Sequence, residues 1–146
     1  MDFFQRLITA LTVTHPIHAM LVHFPIGFTA AGLLFILLAL WRKDELFEKI
    51  AYANMVISAI SVLPAAASGI YDNQINFLGD APNANVKIML GTLLLLITVG
   101  TSLWRRKHED LFTRKSARFF YVSAYILSFT LAMVLGFLGG VIVYGF

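Results

Sequence analysis

Cysteine is absent from all 146 residues. That excludes disulfides, thiolate metal sites, cysteine-held iron–sulfur clusters and C-x-x-C-H attachment of haem. Charge is scarce as well: 13% of the residues are Asp, Glu, Lys or Arg, against about 25% in an ordinary soluble domain. The chain has no G-x-S-x-G, no H-E-x-x-H, no Walker-type glycine loop and no pair of carboxylates inside an apolar stretch. A conventional enzyme is therefore not expected. In place of charge stands apolar bulk, 59% of the residues. That is more than one buried core can use, and it points to lipid. The net charge of +3 does not indicate nucleic acid, because the basic residues cluster beside apolar runs, where they act as topology signals.

A helix crossing a hydrocarbon layer of roughly 30 Å needs about 20 mostly apolar residues. Four stretches meet that need, at about 18–41, 50–71, 86–104 and 119–144. A short interfacial segment, 1–14, precedes them. Its apolar run from Leu7 to Val13 is broken by polar residues and lacks a small-residue cleavage site, so it is not read as a cleaved signal. Trp41, Tyr71, Trp104, Tyr121 and Tyr144 mark span ends, as interfacial aromatics do. Short connections make sequential spans antiparallel neighbours. The expected fold is thus all-α: one transmembrane domain, 1–146, built as an up-down bundle of four helices.

Nine of the eleven basic residues lie in the first and third connections: Arg42, Lys43, Lys49, Arg105, Arg106, Lys107, Arg114, Lys115 and Arg118. Only Arg6 and Lys87 lie on the other side. The positive-inside rule puts those two connections in the cytoplasm and both termini on the outer, periplasmic side of a bacterial inner membrane.

Chemistry concentrates at that outer end. Three of the four histidines, His15, His18 and His23, fall within nine residues. Thr14 or His15 can cap the first span and Pro16 suits its first turn. Pro25, deeper in, removes a helical hydrogen bond and crowds the Leu21 carbonyl, which predicts a bend near Leu21–Pro25. At about 100° per residue, His15 and His18 stand roughly 60° apart, while His18 and His23 stand roughly 140° apart. The first two are the nearer pair for a metal; equally they can be interfacial caps. His23 sits about 7.5 Å deeper than His18 and is expected to face the bundle interior, as ligand or as a hydrogen-bonded core imidazole. Asp72, ending the second span, is placed to orient an imidazole, and Lys87 to pair with an acid or snorkel. A metal site would draw on His15, His18, His23 and Asp72; a cofactor site on His23, His18, Gly136 and Gly140.

Small residues recur at every fourth position: Ala124, Ser128, Ala132, Gly136 and Gly140 in the fourth span, and Ser61, Ala65 and Gly69 in the second. Such stripes serve close helix packing; alternatively, Gly136 and Gly140 clear room for a flat cofactor. The inner half reads as mostly aliphatic and aromatic with Asn54 the main exception. Asp44, Glu45 and Glu48 read as a solvated turn, and His108 as a loop residue.

The segment His15-Pro16-Ile17-His18-Ala19-Met20-Leu21-Val22-His23-Phe24-Pro25-Ile26, the run Ser68-Gly69-Ile70-Tyr71-Asp72 and the late Gly139-Gly140-Val141-Ile142-Val143-Tyr144 resemble a family of four-span prokaryotic membrane proteins defined by a domain of unknown function. The resemblance runs from about Thr14 onward. Relatives in that family occur fused to c-type cytochrome or Rieske modules, which implies work near a membrane electron-transfer chain. The family pattern also carries a histidine near the start of the third span, where Asn83 to Gly91 contains none. A haem b held between helices would then take Met89, Met20 or Lys87 as second partner, be five-coordinate, or draw its second ligand from another copy of the chain.

The expectation is a redox-associated membrane subunit binding haem b or a quinone near the outer face. The alternatives left open are a non-catalytic accessory or scaffold subunit and a small metal-binding membrane protein. Expected partners are the bilayer and other membrane subunits or a second copy of the chain. Reporter fusions should place Phe146 in the periplasm and the Arg42–Lys49 connection in the cytoplasm; a cytoplasmic Phe146 reverses the orientation.

Overall fold

A computed structural model describes residues 2–9 and 17–144, with side chains to Val141. All regular structure among them is helical: α1 (Phe3–Thr9), α2 (Ile17–Leu21), α3 (His23–Arg42), α4 (Glu45–Phe77), α5 (Ala84–Lys107) and α6 (Lys115–Tyr144). Four stretches, Ile17–Arg42, Glu45–Phe77, Ala84–Lys107 and Lys115–Val141, are long and apolar enough to cross a membrane. At about 1.5 Å per residue, the 33 residues of α4 run roughly 50 Å, so this helix outreaches its neighbours.

The connections show why the helices lie side by side. Lys43 takes a left-handed conformation (φ 54°) and ends α3. Asp44 then caps α4, its carboxylate accepting from the Leu46 N–H at 2.8 Å, which satisfies one of the bare donors of the first turn. Two residues thus reverse the chain. At the far end of α4, Leu78 and Gly79 both have positive φ, and the Asn73 carbonyl accepts from the Gly79 N–H at 2.9 Å. The Asn73 side chain also accepts from the Ala81 N–H at 2.9 Å, tying the turn back onto the helix. α3 packs on α4 and α6, and α5 packs on the same two, which closes a four-membered up-down ring.

The bundle is apolar outside and partly polar inside. Leu34, Ile60, Leu63, Leu96, Leu103 and Phe137 are exposed, as side chains facing acyl tails should be. Two apolar clusters fill the interior. One, at the basic end, joins Ile36, Ala51, Met55, Leu111, Tyr121 and Tyr125. The other, toward the histidine end, joins Val62, Leu94, Leu131 and Ala132. Buried hydroxyls from all four helices, Thr29, Ser58, Thr98 and Ser128, stand between these clusters along the chain. Thr29 and Thr98 bond to carbonyls of their own helices, whereas the Ser58 and Ser128 hydroxyls have no partner.

Small residues mark close approaches, because lipid tails are as apolar as leucine and helices associate in them through packing and polar contacts. A Cβ on Gly32 would lie 3.4 Å from the Tyr125 ring and 3.6 Å from Asn54 Cβ, so α3, α4 and α6 meet there. Gly32→Leu should overfill this junction and lower stability by about 1–3 kcal/mol. Leu34→Ala, on the exposed face, should shift it by less than about 0.5 kcal/mol. Thermal unfolding in detergent reads both.

Candidate functional site

The bend at Pro25 is a break. Without a Pro25 N–H, the helix is interrupted at Val22, and the next bond, from the Ile26 N–H to the Val22 carbonyl, is stretched to 3.5 Å. α2 therefore forms a separate turn that leans on α4. His18 makes the joint. Its Nδ1 lies 3.1 Å from the Ala65 carbonyl and 3.1 Å from Ser68 Oγ, while Ser68 spends its own proton on Ala65 at 2.9 Å. A carbonyl can only accept, so Nδ1 carries the proton and Nε2 the lone pair. The close fit needs Gly69: a Cβ there would sit 2.8 Å from His18 Cε1.

Asp72 is not the residue that orients this ring. Ala65 and Ser68 hold it, while Asp72 accepts from Asn76 Nδ2.

His23 does not face the interior as expected; it is exposed. α3 buries Pro25, Thr29, Gly32 and Ile36 instead, a face that His23, two residues before Pro25, does not share. The His23 Nδ1–H donates to the Ala19 carbonyl at 2.6 Å, which again leaves the lone pair on Nε2. The ring borders a groove of about 230 Å³ lined by Phe24, Gly27, Phe28, Ala31 and Asn54. Asn54 gives one amide proton to the Ile50 carbonyl at 2.8 Å. Phe24 and Phe28 stack at 6.4 Å between centroids.

The remaining sequence candidates do not converge. His18 turns toward α4 and His23 outward, and among the described residues no three His, Asp or Glu side chains gather as a metal requires. His15 lies outside the described residues. A Cβ on Gly136 would meet Ile26 Cδ1 at 3.0 Å, so a side chain of α3 occupies the space beside it. Gly140 is half-buried on the same stripe.

Sequence reasoning missed a second polar centre, in the half taken as inert. Glu48 is not a solvated turn residue: it is 2% exposed. Arg105 grips it with two parallel bonds, Nε to Oε1 at 2.6 Å and Nη2 to Oε2 at 3.0 Å. Tyr121 donates to Glu48 Oε1 at 2.9 Å, and the Tyr125 hydroxyl lies 2.9 Å from that of Tyr121. With Tyr121 committed to Glu48, Tyr125 is the donor of that last bond. The Arg105 guanidinium also lies 5.6 Å from the centre of the Tyr52 ring. A signal was present in the chain: Glu48, Ala51, Met55, Ser58, Val62 and Ala65 recur at helical spacing and form the buried face of α4. Tyr121 and Tyr125, one turn apart, share a face and need partners for their hydroxyls once buried.

Removing one member of such a pair strands the other charge. Glu48→Ala should cost about 3–5 kcal/mol, while Glu48→Met combined with Arg105→Leu should recover most of that loss. Detergent unfolding curves of the single and double variants provide the check.

A family model described as "Predicted membrane protein (DUF2231)" matches residues 14–146. Neither the comparison with curated proteins nor that with solved structures gave a match.

Proposed function

The chain belongs to this family of predicted membrane proteins, and we propose that it serves as a redox-associated subunit that binds a quinol headgroup in the His23 groove. The observation that carries the reading is an exposed imidazole in a membrane-crossing stretch, its Nδ1 proton already given to Ala19. Ionisable groups within spans are costly, and they persist where something engages them. A neutral ring held this way offers Nε2 as acceptor, which suits a quinol hydroxyl better than a quinone carbonyl. The groove opens on the outer face of the bundle, so a ligand dissolved in the bilayer reaches it sideways.

Haem has less support. His18 and His23 turn apart, and Ile26 takes the space beside Gly136. The charge asymmetry supports an inner-membrane location with both termini outside and this groove near the outer face.

One observation favours the accessory-subunit reading. Gly27 and Ala31, four residues apart, line the same groove, and a Cβ on Gly27 would meet nothing within 4 Å. A small-xxx-small pair of this kind also accepts a neighbouring helix.

Binding of a short-tailed quinol to detergent-purified protein separates the two. His23→Ala should weaken it about tenfold, as expected for one lost hydrogen bond of about 1.4 kcal/mol. Unchanged affinity removes the quinol reading. Gly27→Ile converting an oligomer to monomers supports the helix-docking reading, and a Soret band that disappears in His18→Ala restores haem.

A further inference from the structure

We propose that a second cavity, at the basic end of the bundle, binds the headgroup phosphate of an anionic phospholipid. This site is independent of the His23 groove and lies at the opposite end of α3.

The cavity, of about 220 Å³, sits where the end of α3 meets the 108–114 connection and the start of α6; Leu40, Lys43, Glu45, Phe112, Thr113 and Arg118 line it. Its two cations are placed by structure around them. Lys43 is held in the left-handed conformation that closes α3. The Arg118 guanidinium lies 6.0 Å from the centre of the Phe112 ring. The ion pairs among the described residues are Glu48–Arg105 and Asp110–Arg114, and neither involves Lys43 or Arg118. Glu45 is the single acid in the lining, and it is exposed.

The lining is mixed. Lys43 and Arg118 supply positive charge, and Leu40 and Phe112 supply apolar surface, with the Arg118 guanidinium over the Phe112 ring. Arg42 ends one membrane-crossing stretch and Lys115 begins another, so the cavity sits at the edge of the apolar belt. Lipid phosphates lie at that level, and basic pockets between spans select anionic headgroups. A free phosphate would use the two cations alone. A phospholipid also uses the apolar surface, with its glycerol and upper acyl carbons against Leu40 and Phe112. That match of charge and polarity selects the lipid over the small ion.

Native mass spectrometry of the full chain, released from micelles containing phosphatidylglycerol and phosphatidylcholine in equal amounts, tests the assignment. The wild type should retain phosphatidylglycerol at least about fivefold over phosphatidylcholine. Lys43→Gln with Arg118→Gln should bring the ratio near one. Glu45→Gln, which removes the opposing charge, should raise it. Arg106→Gln with Lys107→Gln, at the same end but outside the cavity, should leave it unchanged. Equal retention of the two lipids by the wild type overturns the proposal, as does an unchanged ratio in the Lys43/Arg118 variant. An equal fall in the Arg106/Lys107 variant reduces the effect to general attraction and also overturns it. Displacement of the lipid by millimolar inorganic phosphate identifies a small-anion site instead. Circular dichroism of each variant confirms that the helices are intact.

Discussion

The Glu48–Arg105 pair, with Tyr121 and Tyr125 edge to face behind it, is the interaction that sets the register of the bundle. It joins α4, α5 and α6 at one point, with the Arg105 fork and the Tyr121 hydroxyl directed at a single carboxylate. In water, four apolar helices would collapse to hide their surfaces. In lipid that drive is missing, and association rests on packing and on polar groups that find one another. The bidentate geometry fixes the axial register between α4 and α5, since a shift of one residue would part the fork from the carboxylate. Tyr121 extends the same register to α6. α3 then follows through its two-residue link to α4 and through Gly32 against Tyr125.

The histidine end is built on a weaker principle. Its joint is one imidazole against one carbonyl and one hydroxyl, and the helix it secures is only five residues long. His18 and His23, five residues apart and so about 140° apart around the helix, serve different surfaces. His18 becomes a clamp between helices, and His23 remains at the bundle surface. The bundle thus has a charged, bidentate centre at one end and a neutral, single-ring joint at the other.

How much of this was legible depended on the kind of force involved. The second span, read as about 50–71 and observed within the longer α4 (Glu45–Phe77), announces itself because lipid imposes length and apolarity on each helix alone. The break at Pro25 is equally local, since proline lacks an N–H wherever it stands. The direction of His23 was not legible: the spacing of five residues correctly separates it from His18 by about 140°, but the rule that ionisable groups within a span face the interior put the wrong one of the two inside. Glu48 was misjudged because charge near a span end usually faces water, and its partner lies 57 residues away. The periodic face of α4 held the clue, but only the arrival of Arg105 and Tyr121 turns a costly position into a satisfied one. Likewise, nothing near His18 in the chain shows that Ala65 and Ser68, rather than Asp72, hold its ring.

The unequal lengths of the helices carry a practical consequence. A rod of roughly 50 Å tilted by 40° still spans about 38 Å along the bilayer normal, more than the roughly 30 Å hydrocarbon layer. α4 must therefore emerge from the hydrocarbon layer at one end or both. With Asp44 close to the reversal from α3, the overhang falls on Asp72 to Phe77 and the turn that Asn73 ties back upon them. That projection is a stiff mast continuous with the core of the bundle. An antibody fragment raised against it would move with the bundle as one body, giving this small protein a fiducial for imaging by electron microscopy.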